Sequence, residues 1–333
     1  MKMISILTPM YNEQENILPF YSQVNSVIST LTNQYTFEFL FINDGSLDHS
    51  LEEVIKLQQK DSRVKFIDLS RNYGKEIAML AGMDYAKGDA VIIMDSDLQH
   101  PPDVIPKMIQ EWENGYHDVY GKRVSRHGET FLKKKFSNLY YRILSMLSEE
   151  PVLPNVGDFR LLDRLCIDSI TQIRESQRYT KGLYMWIGFD KKEVEFEANE
   201  RFAGETKWKM SNLIQLAVDG IISNSNIPLR FSFYMGILLS IAGFSYMIYT
   251  FISALFFGNE VKGYPTLAIL ILLSSGFQFL FLSIIGEYVG KIFKEVKNRP
   301  VYFIKRYSEE SKDNKSYNSN LKHNDSLENH VEK

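Results

Sequence analysis

The sequence is poor in cysteine and has no excess of basic residues. Its 333 residues include one cysteine, Cys166, which excludes a disulfide framework within the chain and indicates a reducing, cytosolic environment with a buried thiol. Lysine and arginine number 38 against 41 acidic residues, so the formal net charge is −3 and does not indicate a nucleic-acid partner. Strand-like sequence follows Met1 directly, so we expect no signal peptide.

Motifs of several common enzyme classes are absent. The sequence contains neither the P-loop pattern G-x-x-x-x-G-K-[ST] nor the dinucleotide pattern G-x-G-x-x-G. It has no cluster of histidine and cysteine, and His100 is better interpreted as a loop residue than as a zinc ligand. These absences disfavour an ATPase, a dinucleotide-dependent enzyme and a zinc enzyme.

Charged residues are absent from two long apolar runs, although the mean hydropathy of the whole chain is −0.20. The runs are Phe231–Phe257 and Thr266–Gly286, and each reaches the ~20 residues that cross a bilayer core. The link between them carries only Lys262 as a basic residue. Basic residues flank the two runs instead: Arg230, Lys291, Lys294, Lys297, Arg299, Lys305 and Arg306. The positive-inside rule therefore predicts a multi-pass protein of the inner (cytoplasmic) membrane with both termini cytoplasmic.

The chain is expected to have three regions. Residues 1–229 would form a cytosolic domain, residues 230–299 a two-helix transmembrane region, and residues 300–333 a mostly disordered cytosolic tail with little to bury. Two amphipathic segments, Phe131–Ser148 and Trp208–Asn224, lie within the first region. Each would either lie in the membrane interface or pack as a surface helix of the domain.

The first region alternates strand and helix signals. The apolar runs MISILTP, FEFLFIND, VKFIDLS and DAVIIMD predict four strands, with helical spacing between them. We expect Asn12 and Glu15 to form a capping box at the start of the first helix. Gly88 would follow the end of the third helix, about Lys75–Ala86. This alternation predicts an α/β domain whose mainly parallel sheet is covered on both faces.

Polar residues follow each predicted strand, in the segments TPMYNE, NDGSLD, SRNYGK and DSDLQ. In parallel sheets, ligands bind beyond the carboxyl ends of the strands, so these segments should line one crevice. Asp95 and Asp97 follow a buried strand and Gln99 adds another oxygen, a donor set that suits Mg²⁺ or Mn²⁺ bridged to substrate phosphates. Asp44 and Tyr11 could contact a nucleotide, although NDGS is also an ordinary turn sequence.

Four segments carry a resemblance to a known family: TPMYNEQENI, INDGSLD, SRNYGKEIAMLAGMDYAKGD and DSDLQHPPD. In this order they resemble the inverting glycosyltransferases of the GT-A fold, family 2. More narrowly, they resemble the polyprenyl-phosphate glycosyltransferases, which include dolichyl-phosphate mannose synthases and bacterial undecaprenyl (bactoprenol) phosphate glucosyltransferases. The resemblance continues through NVGDFRLLDR and ERFAGETKW and covers about Ile4 to Arg299. It implies a Rossmann-like GT-A catalytic domain followed by two transmembrane helices.

The resemblance also implies roles for individual residues. Residues that would hold the nucleotide of a UDP-sugar are Pro9, Tyr11, Glu13, Asp44 and Asp95. Residues that would surround Mg²⁺ or Mn²⁺ are Asp95, Asp97 and Gln99. Asp158 would be the catalytic-base candidate, acting beside Asp97. Residues that would receive phosphates, including that of the lipid, are Arg123, Arg126, Arg201, Thr206 and Lys207. Two positions depart from the family, which more often has Ser at Thr206 and Asp at His100.

The function that follows is transfer of a hexose, glucose or N-acetylglucosamine, from a UDP-sugar to undecaprenyl phosphate at the cytoplasmic membrane face. Configuration would invert, which gives a β-linked polyprenyl-phospho-sugar for cell-envelope glycosylation. A phosphate monoester has a second pKa near 6, so the lipid phosphate is already a nucleophile at neutral pH. Asp158 could therefore orient the sugar or the metal instead of removing a proton.

Two other functions remain open. A processive polysaccharide synthase should carry a Q-x-x-R-W motif, which neither SQRYTKG nor AGETKW supplies. A catalytically weak scaffold or flippase partner should have lost the acids, all of which are present. Because two spans give a small membrane domain, we expect a homo-oligomer, for which a tetramer is one candidate size. It would pack through Gly236, Ser240 and Gly243, unless these small residues face lipid.

Overall fold

The computed structural model describes residues 1–124, 156–176, 178–197, 227–257 and 263–309. Its strands are β1 Lys2–Met10, β2 Tyr35–Asn43, β3 Val64–Leu69, β4 Ala90–Ile93, β5 Asp118–Arg123, β6 Val156–Asp163, β7 Lys191–Phe196 and β8 Ile304–Tyr307. Its helices are α1 Ile17–Ile28, α2 Ser50–Lys60, α3 Lys75–Tyr85, α4 Ile105–Glu113, α5 Arg164–Gln172, α6 Thr180–Trp186, α7 Ile227–Phe257 and α8 Tyr264–Val296. The two amphipathic segments predicted from the sequence lie outside these ranges.

These strands form one sheet in the order β7-β5-β6-β4-β1-β2-β3-β8. The four strands predicted from the sequence, β1 to β4, are mutually parallel at its centre, since β1 pairs with both β2 and β4 and β2 pairs with β3. On one side β6 joins β4 in antiparallel orientation, and on the other β8 joins β3 in the same way. The predicted α/β architecture with a mainly parallel central sheet is confirmed.

Both faces of the central strands are buried. Every residue of β1 from Ile4 to Met10 is buried, because consecutive side chains enter two different cores. Ile6 packs in the core that contains Phe20 of α1, and Leu7 packs in the core that contains Met79 of α3. Cys166 of α5 is fully buried in the second core, as expected. The continuous apolar runs in the sequence therefore reflect two-sided burial.

The predicted start of the first helix is wrong. The helix begins at Ile17 with Asn16 as its N-cap residue, so Asn12 and Glu15 do not form a capping box. Asn12 instead has a positive φ of 56° and lies in the loop that leaves β1. Its side-chain oxygen accepts a hydrogen bond from the backbone N–H of Leu47 at 2.8 Å. Tertiary pairing between two loops thus uses a side chain that local sequence assigns to a helix cap.

Gly88 is required for a different reason from the one predicted. Helix α3 ends at Tyr85 and its C-cap residue, Ala86, is extended. A Cβ on Gly88 would lie 2.6 Å from both the backbone nitrogen of Ser5 and the carbonyl oxygen of Ala90. The glycine therefore allows β1 and the start of β4 to approach closely, and it does not terminate the helix.

The last described residues include a strand of the central sheet, although the tail predicted from composition starts at residue 300. Strand β8 pairs with β3, and the backbone N–H of Ser70 donates to the carbonyl of Phe303 at 2.9 Å. The hydroxyl of Tyr302, a residue only 7% exposed, donates to Asp84 of α3 at 2.6 Å. Composition missed this strand because a single edge strand needs few apolar residues when a neighbouring strand satisfies its backbone.

Helices α7 and α8 contain the two predicted spans, and they contact each other. By length and composition, one described segment, Leu273–Val296, is long and apolar enough to cross a membrane. A shorter apolar segment covers Phe231–Tyr246. The second span therefore stays a prediction. At the far end of α8, Glu295 accepts a hydrogen bond from the hydroxyl of Ser176 at 2.6 Å, which fixes α8 to the sheet domain.

Replacing Tyr302 with alanine should destabilise the protein strongly, whereas the same change at its neighbour Phe303 should not. Tyr302→Ala removes a buried ring and its hydrogen bond to Asp84, which should lower the free energy of unfolding by about 3 kcal/mol or more. The ring of Phe303 is 53% exposed, so Phe303→Ala is the matched control and should cost within about 0.5 kcal/mol. Urea unfolding of the detergent-solubilised protein, followed by tryptophan fluorescence, measures both. Equal losses would contradict the packing of the C-terminal strand.

Candidate active site

The loops that follow β1 and β2 are joined by hydrogen bonds between backbone and side chains. The backbone N–H of Asn12 donates to the hydroxyl of Ser46 at 3.0 Å. The backbone N–H of Glu13 donates to the hydroxyl of Ser50 at 2.8 Å. The two loops therefore hold each other at the carboxyl-end edge of the sheet, where Tyr11 is 38% exposed.

The loop after β2 is joined to the loop after β3 by the carboxylate of Asp44. This carboxylate is buried and accepts hydrogen bonds from the backbone N–H groups of Tyr73 at 2.7 Å and Gly74 at 2.9 Å. Burial raises the pKa of Asp44, and these two hydrogen bonds oppose that rise. Gly74 has a positive φ of 94° and is the last residue before α3. Asp44 thus fixes the backbone from which α3 starts.

The first side chain of α3, Lys75, connects two strands at the same edge. Its Nζ lies 2.7 Å from Oδ1 and 2.8 Å from Oδ2 of Asp95, which follows β4. The same Nζ lies 2.9 Å from Oδ2 of Asp158, on β6. Asp95 and Asp158 are 63 residues apart in the chain (158 − 95), yet one ammonium holds both. The polar ends of the four predicted strands therefore meet at one edge, as the sequence predicts.

The two carboxylates and the ammonium stabilise one another's charges. Burial alone would lower the pKa of Lys75, but the charges of Asp95 and Asp158 raise it well above its usual value. Burial would likewise raise the pKa of Asp158, but Lys75 first and Lys181 second hold it below its usual value. Both ions are therefore charged at neutral pH, and Asp158 is a weak base.

Asp95, Asp97 and Gln99 are each partly exposed, and the residues between them are buried. The backbone N–H of Gln99 donates to Oδ1 of Asp97 at 3.1 Å. Leu98 between them takes a positive φ of 58°, which turns the chain sharply after β4. The three predicted metal ligands therefore lie at partly exposed positions of one short turn, and their role as ligands stays a prediction.

His100 is buried, as a core residue would be. Its ring stacks on Phe159 at 4.8 Å, and burial lowers its pKa. Its Nδ1 meets no hydrogen-bond partner within the ranges that the structure describes. This packing agrees with the interpretation that His100 is not a ligand, although it lies in the interior and not in an exposed loop.

The donor chemistry of this edge fits a hard divalent cation. The acids offer carboxylate oxygens, and Oδ1 of Asp158 is buried with no hydrogen-bond partner in the described part of the chain. Within the described ranges, no three residues among His, Cys, Asp and Glu are arranged to enclose a metal ion. Mg²⁺ typically takes one or two carboxylates and completes its shell with water and substrate phosphates. A pair of acids at an open edge matches that pattern better than it matches a closed structural site.

Other predicted site residues are only partly placed. Pro9 is buried in β1, and Arg123 ends β5 with partial exposure. Burial lowers the pKa of His100, and the positive charge of Arg123 contributes in the same direction. The remaining phosphate-binding candidates lie outside the described residues: Arg126, Arg201, Thr206 and Lys207.

Sequence reasoning missed Lys75 and the charged layer beneath the acids. The signal for Lys75 was its position in the polar segment after the third strand, next to a glycine. Glu76 accepts a hydrogen bond from the backbone N–H of Thr180 at 3.1 Å, and burial followed by the charge of Asp158 raises its pKa. Nothing in local sequence indicates that α6 would pack on the start of α3.

A buried ion pair supports Asp158 from below. Arg160, two residues along β6, donates to the carboxylate of Asp118 at 2.9 Å and 3.1 Å. The two side chains are 4% and 0% exposed. The guanidinium also lies 3.5 Å from the centroid of the Tyr184 ring, a cation–π contact. Because β6 carries both Asp158 and Arg160, this pair fixes the strand that presents Asp158.

Comparison with known families gives two matches within the chain. Residues 5–170 match glycosyl transferase family 2, which spans β1 to most of α5. Residues 227–292 match the GtrB C-terminal hairpin, which spans α7 and most of α8.

Individual relatives match over nearly the whole chain. An uncharacterized glycosyltransferase of Synechocystis sp. is 40% identical over 90% of this chain and 94% of its own length. A prophage-derived bactoprenol glucosyl transferase of Shigella flexneri is 40% identical over 91% of this chain and 97% of its own length. Among solved structures, glucosyl-3-phosphoglycerate synthase from Mycobacterium tuberculosis, in complex with Mn²⁺, UDP and phosphoglyceric acid, is 18% identical, with a TM-score of 0.47. That match covers 66% of this chain and 76% of the synthase.

Removing the charge of Arg160 should destabilise the domain because it leaves Asp118 buried and unpaired. We expect Arg160→Met to lower the free energy of unfolding by about 3–5 kcal/mol. Lys122→Met is the matched control, since Lys122 pairs with Glu193 at the surface and should contribute less than about 1 kcal/mol. Urea unfolding measures both variants. A further change of Asp118 to leucine should recover most of the loss, and failure to recover it would contradict the role of the unpaired charge.

Proposed function

This chain belongs to glycosyl transferase family 2, and we propose that it moves a hexose, glucose or N-acetylglucosamine, from a UDP-sugar to undecaprenyl phosphate at the cytoplasmic membrane face. The transfer would invert configuration and give a β-linked polyprenyl-phospho-sugar. The observation that carries this proposal is the group of acids that Lys75 gathers beside the nucleotide-facing loops, in a domain attached to two long apolar helices. The bactoprenol glucosyl transferases among the relatives support the lipid acceptor.

The donor side of the reaction is assigned to the edge formed by the first four strands. Asp95, Asp97 and Gln99 would hold Mg²⁺ or Mn²⁺, which as a Lewis acid neutralises charge on the departing UDP. The nucleotide would lie against Tyr11, which is partly exposed at this edge. Asp44 would act on the nucleotide mainly through the loop it fixes, because its carboxylate already accepts from two backbone N–H groups. Pro9 and Glu13 would shape the loop around Tyr11.

On the acceptor side, Asp158 is proposed to orient the sugar or the incoming phosphate. Lys75 holds the pKa of Asp158 below its usual value despite burial, which makes it a poor proton acceptor. A lipid phosphate needs no strong base because it is largely dianionic at neutral pH. The remaining work is to place that phosphate in line with the anomeric carbon. Arg123 is the described candidate for this contact, and arginine suits bidentate phosphate binding.

The strand β8 supports a hairpin that crosses the membrane twice. β3 and β8 are partners in one sheet and must lie on the same side of any membrane. The chain between β7 and β8 therefore crosses an even number of times, so a single crossing by α8 is excluded. Two crossings by α7 and α8 would satisfy this condition, and the basic residues near the helix ends support a cytoplasmic position for the domain.

Homo-oligomer formation through the hairpin is also proposed. Apart from the adjacent backbone of its own helix, a Cβ built on Gly236 or Gly243 would meet no atom of the described residues within 4 Å. These glycines in α7 therefore leave space in which a helix of a second copy could approach closely.

The transferase proposal predicts metal-dependent glycolipid synthesis that depends on Asp97. Purified full-length protein in nanodiscs, given UDP-glucose or UDP-N-acetylglucosamine, Mn²⁺ and undecaprenyl phosphate, should form a glycolipid identified by mass spectrometry. Asp97→Asn should lower the rate at least about a hundredfold, because it removes a charge from the proposed metal site. Asp103→Asn, at an exposed position just beyond the turn, is the matched control and should retain activity. Nucleotide binding by the wild type without any product would favour the scaffold alternative.

The topology proposal predicts opposite labelling of two introduced cysteines. Burial raises the pKa of the Cys166 thiol to about 12, so the native cysteine gives little background. In spheroplasts, a membrane-impermeant maleimide should label Asn259→Cys, in the link between the helices. It should label Lys107→Cys, on the surface of α4, only after lysis. Labelling of both before lysis would contradict two crossings.

A further inference from the structure

The ammonium of Lys75 occupies the acidic edge that the proposed function assigns to a divalent cation. We propose that Lys75 is a positioning residue that competes with this cation for Asp95. Its ammonium would hold Asp95 and Asp158 together until the cation binds, and would then remain with Asp158. The inference rests on the proposed function, because it concerns the same site.

The hydrogen-bonding capacity of the ammonium explains the competition. A lysine ammonium has three protons to donate. Contacts with both oxygens of Asp95, at 2.7 Å and 2.8 Å, and with Oδ2 of Asp158, at 2.9 Å, account for all three. The oxygens of Asp95 that a cation would need therefore already face a positive charge. A cation that binds Asp95 must displace the ammonium from at least one of them.

The charge balance of the edge favours a further cation. Asp95, Asp97 and Asp158 carry three negative charges when ionised, and Lys75 offsets one of them. Like charges this close repel each other unless cations neutralise them. Lys75 thus reduces the repulsion among the carboxylates before the cation binds. The negative charge that remains attracts a divalent ion.

The attachment of Lys75 allows its end to move while its base stays fixed. Its backbone follows Gly74, whose N–H is held by Asp44, and starts α3. The side chain is 41% exposed, and its four-carbon stem is flexible. A short displacement of Nζ away from Asp95 therefore needs no movement of the helix.

Asp158 needs its contact with Lys75 both before and after the cation binds. Its side chain is 11% exposed, its Oδ2 contacts Lys75, and its Oδ1 has no hydrogen-bond partner among the residues that the structure describes. Without the ammonium, this largely buried carboxylate would lose its direct ion pair and keep only the more distant charges of Lys181 and Arg160, which is unfavourable. Lys75 should therefore keep its contact with Asp158 after it leaves Asp95, and so hold Asp158 in position for the sugar or the acceptor.

Competition and simple structural support give opposite results for metal binding. If Lys75 competes for Asp95, removing its charge makes Mn²⁺ bind more tightly while turnover falls. If Lys75 only holds the acids in a geometry that the metal requires, removing it makes Mn²⁺ bind more weakly. A measurement of Mn²⁺ affinity without donor therefore separates the two roles.

The test uses the full-length protein in nanodiscs and the variants Lys75→Met and Lys75→Arg. Lys56→Met, which removes an exposed ion pair with Glu53 on α2, is the matched control. Free Mn²⁺ is titrated by electron paramagnetic resonance with no donor present. Lys75→Met should bind Mn²⁺ about two- to fivefold more tightly than wild type, the range expected for loss of a partly exposed ion pair. Its kcat at saturating Mn²⁺ should fall by about 10- to 100-fold, because Asp158 is misplaced.

Lys75→Arg keeps the positive charge, so its Mn²⁺ affinity should stay within about twofold of wild type. Lys56→Met lies away from the site, and its Mn²⁺ affinity should stay within the same range. Unchanged or weaker Mn²⁺ binding by Lys75→Met would overturn the inference, as would a kcat that stays near the wild-type value. If Lys75→Met does not fold, Lys75→Gln carries the same expectations. Absence of any glycolipid from the wild type would overturn the proposed function, and the Mn²⁺ titration would still decide the role of Lys75.

Discussion

The parallel pairing of β1 with β2 and β4, and of β2 with β3, is the constraint on which the site depends. It brings the carboxyl ends of four strands to one edge, so the polar segments after them must share one region of space. The loops there are joined by hydrogen bonds, so each loop is held in place by contacts with a neighbouring loop. Asp44, for example, stabilises the backbone that begins α3. The acids then meet at a position that no single loop defines.

Such a concentration of acids is costly unless cations balance it. The domain balances it in two layers. At the surface of the edge, the ammonium of Lys75 contacts Asp95 and Asp158. Below it, the fully buried pair of Arg160 and Asp118 holds the strand that carries Asp158. The buried pair of Arg160 and Asp118 suits a rigid support for the strand. The contacts of Lys75 suit exchange of one cation for another, because they alone are exposed enough to meet a metal ion or a substrate phosphate.

The C-terminal strand joins the apolar hairpin to the sheet that carries the acidic edge. After α8, the chain returns to pair with β3, the strand whose following loop leads to Lys75. Ser176 and Glu295 add a second contact between α8 and the sheet domain. The end of the apolar hairpin is thereby fixed relative to the acidic edge. Such an attachment suits a transferase whose acceptor phosphate lies at the bilayer surface, since the distance between the site and the membrane is then constant.

The sequence by itself determined the α/β class, the parallel centre, the two apolar helices and the acids after β4. These follow from local periodicity, two-sided burial of β1 to β4 and the polarity of the residues after each strand. The order of its motifs also determined the family resemblance that the comparisons confirm.

Only the tertiary structure decided that Asn12 bonds to a neighbouring loop, that Gly88 permits close packing of strands, and that residues near Tyr302 return to the sheet. It likewise decided that Lys75 joins Asp95 to Asp158. Each of these depends on contacts between residues far apart in the chain, and local propensity carries no information about which distant segment will be the partner.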